Sequence, residues 1–182
     1  VNDYIKSIIA KTKEYGWLPG QHFQNVFGEG MVGDHLVPIV VDAYRKGFRE
    51  YEAEFIYEAM RIKALEFPKP PVSLNAARSG LEYLHTLCYI PADRVTESVS
   101  KTLEFAYDDW CIAMVAKKMG KTEDYIYFIK RALNYKNLFD PSTGFMRPKQ
   151  DAFMSPFDPY RVDHNYTEGN AWQYSFYVPQ DI

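Results

Sequence analysis

The segment Tyr166-Thr167-Glu168-Gly169-Asn170-Ala171-Trp172-Gln173-Tyr174 concentrates more chemistry than any other part of the chain. Between Glu168 and Gln173 it holds one carboxylate, two carboxamides and an indole. A carboxyl group can protonate a departing oxygen, amides can read hydroxyls, and an indole can pack on the apolar face of a sugar ring. Glu168 is therefore the candidate general acid, with Asn170, Trp172 and Gln173 as candidate substrate-binding residues. An acid working near neutrality needs burial to raise its proton affinity. The same residues also suit a plainer role, in which Thr167 caps a helix starting at Glu168 and that carboxylate complements the helix dipole.

Other candidates lie upstream. Asp108 and Asp109, in Tyr107-Asp108-Asp109-Trp110, fall in mid-helix, where Asp has poor intrinsic propensity. One of the two could face a pocket, although adjacent helical residues do not share a face. His35, after Asp34 at a helix start, is placed either to reach a ligand or to bond a nearby carbonyl. Glu97 reads as ordinary first-turn chemistry. Arg147 is a lone cation in a long loop, there to hold a carboxylate or to be solvated. No His-x-x-x-His spacing suggests zinc, and no EF-hand loop is present. A G-x-S-x-G elbow, a phosphate-binding Gly loop and a catalytic-cysteine signature are also missing.

The elements that must position these groups read as helices. Tyr4, Ile8, Ile9 and Tyr15 recur near helical spacing until Gly16-Trp17-Leu18-Pro19-Gly20 interrupts them. Gln21 to Gly33 reads as a loop, after which Asp34 is placed to cap a helix that carries Val37, Val40, Val41 and Tyr44 and ends at Gly47. Tyr51 to Glu66 is a further helix, stopped by Phe67-Pro68-Lys69-Pro70-Pro71. Ala76 to Leu87 holds a short helix broken at Gly80. The longest pattern runs from Thr96, as N-cap, to Lys118 before Gly120, and its partner from Lys121 to Leu138. Phe139 to Asn165 is a long irregular segment ending at the Glu168 motif, the kind of loop that builds the mouth of a pocket. The sum is an all-α chain of six or seven helices, fitting a helical toroid or a plain bundle.

The 182 residues suffice for one domain with a sizeable core, and at 47% hydrophobic and 25% charged the chain is globular. An aromatic share of 16% agrees with a carbohydrate site and equally with an ordinary core. The net charge of −3 gives no support to a nucleic-acid or anionic-membrane partner. No apolar run is long enough to span a membrane, and no signal-peptide pattern opens the chain. Cys88 and Cys111 sit in apolar helical surroundings and read as buried free thiols. Both ends read as cut, as in a piece of a larger protein.

Several blocks, in order, resemble glycoside hydrolase family 92. They are Gly33-Asp34-His35 with Val41-Asp42-Ala43-Tyr44, Tyr89-Ile90-Pro91-Ala92-Asp93, Ser98-Val99-Ser100-Lys101-Thr102-Leu103-Glu104, and Tyr107-Asp108-Asp109-Trp110. Leu138-Phe139-Asp140, Gly144-Phe145-Met146-Arg147-Pro148 and Glu168-Gly169-Asn170-Ala171-Trp172-Gln173-Tyr174 continue the series almost to the end. The resemblance implies a calcium-dependent exo-α-mannosidase that inverts configuration, secreted or periplasmic in bacteria. It implies an N-terminal β-sandwich followed by an (α/α)6 catalytic domain, with residues 1–182 forming the middle of that toroid. Glu168 would be the general acid. The general base, an Asp in a later Gly-Asn-Asp-type segment, lies outside this sequence, as do most of the expected Ca2+ ligands, so no metal ligand is assigned here. A mannose-containing glycan is the implied substrate, and the missing parts of the parent chain are implied partners. Alone, the piece should be inactive and prone to association through uncovered helix faces. Two other readings stand beside this one: a non-catalytic carbohydrate-binding helical module, and a helical scaffold with no ligand.

Overall fold

The computed structural model describes residues 1–20 and 31–181. Most of the expected loop at Gln21 to Gly33 therefore lies outside the described residues. Seven α-helices and one two-stranded hairpin are present among them.

Helix α1 (Asn2–Tyr15) buries Ile5, Ile8, Ile9 and Thr12 on one stripe and stops where Gly16 turns left-handed at φ 72°. Helix α2 (Leu36–Arg45) buries Leu36, Val37, Val40, Val41 and Ala43. Helix α3 (Ala53–Leu65) contributes Ile56, Tyr57, Met60 and Ala64. A short 3-10 turn, Leu74–Ala76, precedes α4 (Leu81–Thr86). Helix α5 (Ser98–Lys118) is the axis of the chain, buried at nearly every position from Ser98 to Ala116. At 1.5 Å per residue its length is about 30 Å. Helix α6 (Thr122–Arg131) lies along α5, which also packs on α2 and α3.

Two large cores hang on α5, and a small third one joins its Phe105 to Leu84 and Ile90. Its C-terminal half, with Cys111, Ile112, Ala113, Val115 and Ala116, joins α1, α2, α3 and Phe128. Its N-terminal half supplies Val99, Leu103 and Ala106 to a second core with Tyr89, Tyr135, Leu138, Met146, Tyr166 and Ala171. Full burial of a side chain such as Leu103 or Phe128 contributes roughly 1.5–3 kcal/mol. The second core carries the Glu168 motif. The hairpin β1 (Phe139–Asp140) and β2 (Phe145–Met146) pairs Phe139 with Met146 and Asp140 with Phe145. The last helix, α7, spans only Ala171–Tyr174.

Four local expectations are corrected. Asp34 does not cap α2, because its carboxylate is drawn to the buried Arg78. Thr96 does not cap α5. Instead Glu97 precedes that helix at φ 58°, and the loop backbone satisfies the first amides, with Glu97 N–H donating to the His164 carbonyl at 2.6 Å and Val99 N–H to Asn165 at 3.2 Å. The helix expected to reach Leu138 ends at Arg131 and tightens into a 3-10 turn at Asn134–Asn137, where Asn137 bonds back to the Asn134 and Cys88 carbonyls. Cys88 is exposed, just past the end of α4, and only Cys111 is buried.

Candidate active site

The Glu168 motif is not a helix start capped by Thr167. Helix α7 begins three residues after Glu168, capped by Asn170, whose Oδ1 accepts from the amides of Trp172 at 3.1 Å and Gln173 at 3.4 Å. Gln173 Oε1 in turn accepts from Asn170 N–H at 2.9 Å, closing a capping box. Gly169 makes room for this, since a Cβ there would lie 2.6 Å from Gln173 Oε1. The oxygens of both candidate amides are thus spent on the helix start. Asn170 Nδ2 reaches the Tyr160 carbonyl at 3.3 Å, which leaves Gln173 Nε2 to face outward.

Glu168 sits between the buried residues Asn165, Tyr166 and Thr167 and the buried Gly169, yet it is itself exposed. Its φ of 50° places it in the left-handed region, which turns the side chain out of an otherwise sealed stretch. The burial expected around it is not supplied by the described residues. Trp172, 44% exposed, stands edge-to-face on Phe145 with ring centroids 4.8 Å apart and tilts against Tyr160 at 5.9 Å. One side of the indole is packed and the rest is open to solvent.

Asp108 and Asp109 belong to a second group further along α5, which His35 approaches from the start of α2. Asp109 accepts from Arg78 Nη1 at 2.6 Å and pairs with Arg131 Nε at 2.8 Å, the latter an ion pair not aligned as a hydrogen bond. It is 1% exposed, so both oxygens serve the scaffold. Arg78 also donates to Asp34 at 2.7 Å, and Lys63 lies 3.5 Å from the same carboxylate. Burial opposes the charge on Asp34, but Lys63 and Arg78 outweigh it and hold the carboxyl below its usual range. Asp108 accepts from Asp34 N–H at 2.8 Å, and burial, then the Asp34 charge, push its carboxyl well above the ordinary range.

Glu104, not among the candidate residues read from the sequence, lies one turn before Asp108 on the same helix face. Tyr177 donates to its Oε2 at 2.7 Å. Burial raises its proton affinity, against the opposing Tyr177 bond and the charge of half-buried His35. Gly33, at φ 89°, is required here: a Cβ would stand 2.7 Å from Glu104 Oε2. The i, i+4 spacing of Glu104 and Asp108 was the available signal. A carboxyl that holds its proton can donate a hydrogen bond as well as accept one.

Arg147 is not solvated. Its guanidinium bonds Asp140 Oδ2 and the Met154 carbonyl and stacks over Phe157. Asp140 also accepts from Ser142 and Thr143, and the Ser142 bonds, ahead of Arg147, hold its carboxyl at about 2. This clamp shapes the hairpin that carries Phe145 beneath Trp172.

Calcium does not fit the groups present. No set of three or more His, Cys, Asp or Glu side chains converges as a metal site among the described residues. The buried carboxylates Asp34 and Asp109 are already neutralised by Arg78, Lys63 and Arg131.

Glu168 and Trp172 are thus both exposed, four residues apart, on an all-α frame. The model of the Glycosyl hydrolase family 92 catalytic domain matches residues 1–182, and the chain belongs to that family. It is similar to an inverting mannosidase of family GH92 from Bacteroides thetaiotaomicron, with 34% identity, a TM-score of 0.87, and coverage of 95% of this chain and 23% of that one. An α-mannosidase of the same family and organism gives 37% identity and a TM-score of 0.87 over 99% of this chain and 24% of that one. A third relative, an uncharacterized secreted glycosidase of Arthroderma benhamiae, is 28% identical over 99% of this chain and 27% of its own length. The chain thus spans about a quarter of the relatives it matches. The helices are part of an (α/α)6 toroid, as the resemblance implied.

Proposed function

We propose that this chain is the acid-bearing middle part of the toroid in an exo-α-mannosidase, with a β-sandwich before it and the rest of the toroid after it. The substrate is a glycan ending in α-linked mannose. Glu168 protonates the departing glycosidic oxygen, and a carboxylate outside this chain activates water on the opposite ring face. Inversion needs those two carboxyls roughly 6.5–9.5 Å apart, with room for the water between. Trp172 packs on a sugar ring, and Gln173 Nε2 and Asn170 line the approach.

The carrying observation is the exposure of Glu168 at φ 50° within a buried stretch. A residue held in that conformation at the surface is presented, and strain of this kind concentrates at functional sites. The α-mannosidase relatives, one of them solved in complex with mannoimidazole, support mannose as the sugar. The secreted glycosidase of Arthroderma benhamiae supports a secreted or periplasmic location, and among the described residues no helix is long and apolar enough to cross a membrane. Calcium dependence rests on the family alone.

The test is mannose release from an α-mannobioside by the full parent chain, wild type against Glu168→Gln, with calcium supplied. Loss of most activity, with partial rescue on a substrate whose leaving group needs no proton, establishes Glu168 as the acid. Equal activity in both proteins overturns the assignment. Binding without release by either protein would instead favour a carbohydrate-binding module.

A further inference from the structure

The backbone that presents Glu168 is gripped from the start of α5. All three polar groups of the preceding residue, Thr167, are engaged. Its N–H donates to Ser100 Oγ at 2.9 Å, its hydroxyl donates to Glu97 Oε1 at 2.9 Å, and its carbonyl accepts from the Tyr174 hydroxyl at 2.8 Å. Glu97 also holds the segment through its own backbone, donating to the His164 carbonyl. The other carboxylate oxygen of Glu97 lies 3.5 Å from Lys101 Nζ, which fixes its orientation. Glu97 at φ 58° and Glu168 at φ 50° are both left-handed, a conformation that residues other than glycine keep only where their surroundings hold them.

We propose that Glu97 is a positioning residue for the acid, acting through the Thr167 hydroxyl to hold Glu168 turned outward. This rests on the reading of Glu168 as general acid. Releasing the Thr167 hydroxyl lets the Glu168 backbone relax toward an ordinary conformation and carries the carboxyl away from the glycosidic oxygen. Displacements of about 1 Å at a reacting group cost on the order of 10²-fold in rate. The loss should fall on kcat, and only where the leaving group must be protonated.

The experiment uses the full parent enzyme and two substrates, an α-mannobioside and a dinitrophenyl α-mannoside whose leaving group needs no proton. Glu97→Ala and Thr167→Val should each lose on the order of 10²-fold in kcat on the mannobioside, with little change in KM, and far less on the aryl mannoside. Glu97→Gln keeps an acceptor for the Thr167 hydroxyl and should recover most of the loss. Equal losses on both substrates, or none, overturn the proposal. Should Glu97→Ala fail to fold, Thr167→Val, which removes only the hydroxyl, decides the matter. Glu168→Gln in parallel separates the two ideas. If it shows the leaving-group dependence and Thr167→Val does not, only the positioning role fails. Without that dependence in Glu168→Gln, the acid assignment fails and the positioning role goes with it.

Discussion

Arg78 Nη1 stands 2.6 Å from Asp109 Oδ1, and the two residues are 2% and 1% exposed. A cation and an anion so far from water hold each other at the junction of the two cores on α5. Removing Asp109 leaves Arg78 to Asp34 and takes away the carboxylate beside Arg131, and breaking a buried ion pair typically costs 3–5 kcal/mol. Asp109→Ala, which also strands Arg131, should lower stability by about that amount. Asp109→Asn, which keeps an acceptor, should cost less. Denaturant midpoints at unchanged m-value check both, and a loss below about 1 kcal/mol for Asp109→Ala would show the pair to be dispensable.

The carboxyl of Asp108 gives the protein a pH dependence of a particular sign. Burial, then the charge of Asp34, raise its folded proton affinity above the unfolded value. Stability from that bound proton is full below the unfolded carboxylate range and is lost as pH rises through the higher folded value. Glu104, raised by burial, acts with the same sign, whereas Asp34, lowered, loses its contribution as pH falls through its folded value. Asp108→Asn mimics the protonated acid and can still accept from Asp34 N–H. It should flatten the decline on the alkaline side of the carboxylate range while leaving the acid-side loss in place. Unfolding measured across pH in both proteins tests this, and an unchanged alkaline decline in Asp108→Asn would reassign the proton.

The helices were legible because their signals are local. Gly16, Gly47 and Gly120 all adopt the positive φ that their terminator roles require, at 72°, 95° and 76°. The long apolar repeat of α5 was visible from Val99 to Met114. What the sequence hid was pairing at a distance. Nothing near Asp34 announces Arg78, 44 residues later, and nothing near Asp109 announces it 31 residues earlier. For the same reason Thr167 read as a cap, because its true partner, Glu97, lies 70 residues upstream. With Thr167 drawn away, Asn170 becomes the cap, and the oxygens of the amides expected to read hydroxyls are engaged at the helix start. The motif is visible in the sequence, whereas its internal division of labour depends on the distant Glu97.

Gly169 is where that division can be tested. A methyl group there would meet Gln173 Oε1 at 2.6 Å and Tyr174 Cε2 at 3.3 Å, so Gly169→Ala should break the reciprocal half of the capping box. Asn170→Ala removes the other half. Loss of an N-cap costs typically about 1 kcal/mol, which corresponds to roughly fivefold more frequent local opening. Hydrogen exchange at the amides of Trp172 and Gln173 should quicken by about that factor in each variant. Unchanged exchange would mean that α7 is held by tertiary packing alone.

Trp172 offers the clearest separation of binding from chemistry. Its ring rests on Phe145 and leans on Tyr160, with 44% of the residue still exposed. A stacking contact made equally in ground and transition states lowers KM without raising kcat. Trp172→Ala should therefore raise KM about tenfold, the equivalent of 1.4 kcal/mol, with kcat little changed. Phe145→Ala should act in the same direction but more weakly, since it loosens the indole without removing it. Steady-state kinetics on a mannose-terminated oligosaccharide, using the full parent chain, measure both. A fall in kcat at constant KM would instead show that the indole holds Glu168 or the sugar in its reacting geometry, and would move Trp172 from the binding surface to the acid's own support.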